Sequence, residues 1–138
     1  MDRERSAQPV KSVDTNLLIR IITKDDSLQT PLAQAALQAP VFVSHGVIME
    51  TEWVLRSRYD WGRERTALDL RELLDIETVN VAEPALVRWA LGRYEAGADL
   101  ADMLHIVAAV GLEAFLSFDT GLAAEAGSDA PIRIETLP

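Results

Sequence analysis

Residues 41–59, VFVSHGVIMETEWVLRSRY, join a short β-branched run to a long helical pattern through a single serine. The run VFVS at 41–44 reads as a strand, since valine and phenylalanine suit a pleated, buried surface. Ser44 is the residue type that caps a helix, and after Gly46 the residues to 58 continue without glycine or proline, so a helix is expected near 46–58. On a helical wheel counted from Val47, Glu50 falls at about 300°, beside Val54 at about 340°, whereas Glu52 falls at about 140° on the opposite border. A solvated glutamate is the simplest reading of either, and more so of Glu52.

The same strand-to-helix grammar recurs along the chain. VKSVD at 10–14, TVNV at 78–81, FLSF at 115–118 and IRIE at 132–135 read as further strands. Helices are expected near 15–23, 31–38, 63–75, 83–96, 99–110 and 120–126. Pro31, Pro40 and Pro84 punctuate the joins, and Gly62, Gly97, Gly111 and Gly127 stand where left-handed caps end helices. Strands alternating with helices imply an α/β class with a mainly parallel sheet and helices on both faces. Residues 1–9 read as a loose charged tail, and residues 10–138 as one domain, a size able to bury roughly 68% of the unfolded surface.

Composition narrows the chemistry. The 138 residues include no cysteine and two histidines, which exclude disulfides, thiolate metal sites and a cysteine nucleophile, and argue against histidine-based zinc. Thirteen basic against 22 acidic residues give a formal charge of −9, unsuited to a protein that relies on overall attraction to nucleic acid. A metal bound here is expected to be a hard ion held by oxygen ligands, Mg²⁺ or Mn²⁺. No segment approaches the ~18 apolar residues of a membrane span, so a cytoplasmic protein is expected.

Open parallel sheets bind ligands beyond the carboxyl ends of their strands. VKSVDTN delivers Asp14 there, FLSFDTG delivers Asp119, and the 41–59 stretch delivers Glu50. GADLADMLHIVAAVG at 97–111 adds Asp99 and Asp102 in the first turn of an apolar helix, with Asp102 at about 300° from Asp99 and bordering the stripe made by Met103, Ile106 and Val110. Four or five carboxylates converging without a lysine or arginine in the same motifs would resist joint ionisation unless a divalent cation joined them. Two ions held by shared carboxylates suit in-line hydrolysis of a phosphodiester. Each acid also has a local reading: Asp14 and Asp119 as caps of the helices that follow them, Asp99 and Asp102 as an N-cap and N3 pair.

In order and spacing, VDTNLLIRII (13–22), VFVSHGVIMETEWVLRSRY (41–59), GADLADMLHIVAAVG (97–111) and FLSFDTGLAAEAG (115–127) resemble the PIN-domain ribonucleases, and within them the VapC-type toxins of bacterial toxin–antitoxin pairs. The resemblance implies a three-layer α/β/α fold around a parallel five-stranded sheet. It implies metal ligation and catalysis by Asp14, Glu50, Asp102 and Asp119, with Asp99 an additional metal ligand and Thr15, Asn16 and Ser117 in support. It further implies dependence on Mg²⁺ or Mn²⁺, cleavage of RNA without a covalent enzyme intermediate, a homodimer, and a cognate VapB-like antitoxin whose C-terminal segment covers the active groove. The residues before Val10 exceed the family's usual short start.

Other residues carry weaker signals. Arg20, and Arg56, Arg58, Arg63 and Arg65 interleaved with Tyr59 and Trp61, are candidates to track an RNA backbone or stack its bases, against the simpler reading of a solvated helix end. His45 and His105 could approach substrate or a carboxylate, and Trp89 and Tyr94 read as helix packing. Two rival functions stand beside the nuclease. An aspartyl-phosphate phosphatase wants a second aspartate two residues after Asp14, where this chain has Asn16. A catalytically idle module would use the same acidic pocket to dock a basic peptide or RNA.

Overall fold

The structure, a computed structural model, describes residues 10–138; the tail expected at 1–9 lies outside the described residues. Each of the five strand runs forms a strand, shortened to two or three residues: β1 (Lys11–Ser12), β2 (Val41–Phe42), β3 (Val79–Asn80), β4 (Phe115–Ser117) and β5 (Ile134–Thr136). Seven helices separate them among the described residues: α1 (Thr15–Thr23), α2 (Gln29–Ala36), α3 (His45–Arg58), α4 (Arg63–Asp75), α5 (Pro84–Glu95), α6 (Leu100–Ala108) and α7 (Leu122–Ala126). One boundary moved for a visible reason. Asp26 accepts bonds from the backbone N–H of Leu28 and Gln29, at 3.0 and 2.8 Å, so α2 starts two residues before Pro31, which occupies its first turn where no N–H is needed.

Every pairing is parallel, as strand–helix alternation requires. Lys11 lies opposite Val41 and Ser12 opposite Phe42, while Val41 and Phe42 lie opposite Val79 and Asn80. The ladder continues past the strands through Val13 N–H to Phe42 O at 3.1 Å and Val43 N–H to Asn80 O at 2.8 Å. The single five-stranded sheet does not form, however: β1, β2 and β3 make one sheet, β4 and β5 another. The alternation fixes strand number and direction, but which edges bond depends on where the helices set each strand. Here β1 and β4 share no ladder bond, and Leu116 and Phe118, on and just after β4, are 57% and 73% exposed.

The core lies between the sheets and the packed helix pairs α5 with α6, α4 with α5, and α1 with α3. Leu18 and Ile19 of α1, Ile48 and Leu55 of α3, Leu70 of α4, Leu91 of α5 and Met103, Leu104 and Ile106 of α6 are almost fully buried. Burying a side chain of this size contributes about 1.5–3 kcal/mol against leaving it in water. The helices therefore fix the directions in which the polar residues at their N-termini point.

Candidate functional site

The site begins at the end of β1. Asp14 caps α1, its Oδ1 accepting the Leu17 N–H at 3.0 Å in extended backbone, so the local capping role is real. That role engages one carboxylate oxygen and leaves Asp14 exposed beside the cavity that follows. Ser44 caps α3 in the same way, accepting the Val47 N–H at 3.1 Å, and so places Glu50 in the second turn of that helix. Thr15, 8% exposed, donates its hydroxyl to Glu50 Oε1 at 2.6 Å. This bond ties the first turn of α1 to the second turn of α3 and brings Asp14, Thr15, Asn16 and Glu50 into the lining of one cavity of about 250 Å³, completed by Trp53, Val54 and Arg58.

The remaining acids gather at the N-terminus of α6. Asp99 caps the helix, Oδ2 accepting the Asp102 N–H at 2.9 Å. Asp102 is half-buried, and its carboxyl is held above the usual range by that burial first, then by the negative charges of Asp99 and Asp119, with His105 opposing. Asp119 follows β4, and two bonds shape its turn: its N–H donates to Ser117 Oγ at 2.9 Å and its Oδ1 accepts the Gly121 N–H at 2.8 Å. The acids thus fall into two sets, Asp14 with Glu50 and Asp102 with Asp99 and Asp119. Among the described residues no three histidine or acidic side chains stand close enough to hold one ion. The donor set is nonetheless all oxygen and suits a hard divalent cation, which like-charged carboxylates need before they can approach one another.

The basic residues take distinct places. Arg63 Nη1 donates to the carbonyls of Tyr94 and Ala98, at 2.8 and 2.6 Å, with its guanidinium 4.9 Å from the Tyr94 ring centroid. Arg56 Nε donates to Glu52 at 2.9 Å, and Arg65 lies 3.6 Å over Trp61, which meets Tyr59 edge to face. Arg20 donates to Gln29 and Asp25 and lines a second hollow, of about 330 Å³, with Asp14, Asn16, Leu17, Gln29, Leu32 and Ala33. Arg58 alone of the five candidates lines the cavity of Asp14 and Glu50. His45 Nε2 donates to the Ala82 carbonyl at 2.8 Å, and His105 stays exposed on α6.

Glu52 corrects its sequence reading as a solvated side chain. It is 6% exposed and accepts from the Tyr94 hydroxyl at 3.1 Å as well as from Arg56. Burial, together with the Glu52 charge and bond, pushes the Tyr94 hydroxyl up to about 12. The spacing of Glu52 and Arg56, four residues apart on a helix, was the available signal of a pair. Nothing in the sequence pointed to Tyr94 as the third member.

The PIN domain family model matches residues 11–127, spanning β1 to the end of α7 and every acid named above. The chain belongs to the PIN domain family. Among curated proteins and solved structures none matches it. PIN domains are generally metal-dependent nucleases that typically use Mg²⁺ or Mn²⁺, and membership supports a nuclease-type, hydrolytic function for this chain. Among its described residues no helix is long and apolar enough to cross a membrane.

Proposed function

We propose that this PIN domain is a divalent-metal-dependent endoribonuclease and the toxin of a VapC-type pair, held inactive by a cognate VapB-like antitoxin. The observation that carries the reading is the Thr15–Glu50 hydrogen bond, because it brings residues 35 apart in sequence to one cavity with Asp14. In this reading residues 10–138 are one PIN domain, working in the cytoplasm as a homodimer. The exposed apolar side chains Leu116 and Phe118 support a self-association surface at β4.

Asp14, Glu50, Asp102 and Asp119 are the residues that would hold Mg²⁺ or Mn²⁺, with Asp99 beside them. The bound ions would supply activation of a water and neutralisation of charge on the phosphate and leaving oxygen. Thr15 orients Glu50 through its hydroxyl, and Asn16 lines the cavity beside Asp14. Asp99 holds the first turn of α6 and so the direction of Asp102, while Ser117 does the same for Asp119 by accepting its N–H. Arg58 lines the cavity of Asp14 and Glu50 and would meet an RNA phosphate there; Arg20 lines the other hollow that shares Asp14 but is engaged by Gln29 and Asp25, and Arg56 and Arg63 are likewise held by protein groups.

One observation favours a second reading. The two acidic sets do not close around a single ion position, which an idle module docking a basic peptide or RNA would not require. Incubating the purified chain with total RNA in Mg²⁺, in Mn²⁺ and in chelator decides between them. The nuclease produces new RNA ends only with the divalent ions, and their absence in every condition leaves the docking module.

A further inference from the structure

We propose that Trp53 is a stacking platform for one base of a single-stranded RNA, with Arg58 holding an adjacent phosphate, at the cavity shared by Asp14 and Glu50. This rests on the ribonuclease reading and names how that site grips its substrate.

Trp53 lies three residues beyond Glu50 on α3, so the two side chains project from the same side of the helix. Both line the same cavity, and Arg58 in the last turn lines it as well. The three tryptophans of the chain differ in what covers them. Trp61 is covered by the Arg65 guanidinium and meets Tyr59 edge to face, and Trp89 packs against the core. Trp53 is 48% exposed and has neither an aromatic nor a cationic partner on its ring among the described residues. A half-open indole on the wall of a polar cavity offers a flat apolar face, and every nucleobase has one to match.

Charge supplies the second half of the argument. A domain of net charge −9 whose cavity carries Asp14 and Glu50 repels a polyanion unless a cation stands among the acids. Arg58 is that cation: it lines the cavity, is exposed, and makes no hydrogen bond or ion pair with any other described residue, so its planar guanidinium is available to grip a phosphate. Stacking on Trp53 with the neighbouring phosphate on Arg58 lays the strand along α3 towards Glu50. Recognition of this kind reads the presence of an unpaired base more than its identity.

The test is binding of a short, labelled single-stranded oligoribonucleotide to the full chain in chelator, where the strand is not cut. Trp53→Ala and Trp53→Leu are both expected to weaken binding about tenfold, the leucine variant keeping apolar bulk while removing the ring face, and Trp53→Phe to retain most of the affinity. An oligonucleotide with abasic sites is expected to bind wild type weakly and to show no further loss with Trp53→Ala. Arg58→Gln is expected to make the dependence of log affinity on log salt shallower by about 0.7. Unchanged affinity in both Trp53→Ala and Trp53→Leu, or a wild-type chain that fails to bind the strand, overturns the proposal. The nuclease reading fails separately: a strand that is bound through Trp53 yet stays whole in Mn²⁺ overturns the chemistry and leaves the stacking site standing.

Discussion

Asp14 shows how one side chain serves structure and chemistry together. Its Oδ1 caps α1, and asparagine caps a helix about as well as aspartate, so Asp14→Asn is expected to leave the fold intact while abolishing RNA cleavage. Melting curves that overlay, beside loss of new RNA ends, check both halves. Thr15→Val removes the hydroxyl that Glu50 accepts; loss of such an orienting bond typically costs 10–100-fold in activity, and Thr15→Ser should restore most of it. Asp102 carries a pH-dependent prediction. Its pKa is raised in the folded protein, chiefly by burial, so the native state binds the extra proton and stability falls as pH rises through that raised value. Asp102→Asn therefore raises the thermal midpoint at neutral pH, and the gain disappears below the ordinary aspartate value of 3.8, where both states are already protonated. An equal effect at acid and neutral pH would refute that account.

Among the elements, α3 is tied to its neighbours by polar bonds as well as by Ile48 and Leu55. Glu52 on α3 accepts from Tyr94 near the end of α5, and Arg63 at the start of α4 binds the carbonyls on either side of the α5–α6 turn, Tyr94 and Ala98. Ala98 directly precedes Asp99, the cap of α6, so this chain of bonds ties α3 and α4 to the turn that leads into the second acidic set. Tyr94→Phe leaves the buried Glu52 with Arg56 alone and is expected to destabilise by about 1.5–3 kcal/mol, the range for a hydrogen bond to a charged group. The Tyr94 hydroxyl titrates near 12 in the folded chain against 10 in the unfolded one, so wild type loses stability as pH climbs from 10 towards 12. Denaturant melts across that window should show a shallower fall for Tyr94→Phe.

At the scale of the whole molecule, the acids gather as Asp14 with Glu50 and as Asp102 with Asp99 and Asp119, and the like charges of such a set favour binding of a divalent ion. A divalent ion that binds the folded chain and not the unfolded one raises stability by RT ln(1 + [L]/Kd), about 2.7 kcal/mol at a hundredfold excess over Kd. Mn²⁺ is expected to raise the thermal midpoint of wild type, much less that of Asp14→Asn, and chelator to reverse both the shift and RNA cleavage; equal shifts in the two proteins would place the ion elsewhere.

What the sequence by itself determined was the alternation of elements, because hydrophobic period and capping chemistry are local: each strand run and helix stretch formed near its expected place, and Asp14, Ser44 and Asp99 stand as caps. The four blocks from Val13 to Gly127 were enough to indicate the PIN family. The tertiary structure alone decided that the strands divide into sheets of three and two, that Glu52 is buried against Tyr94, and that Thr15 reaches Glu50. These are contacts between residues tens of positions apart. They depend on how helix faces pack against one another, which no local period or spacing encodes.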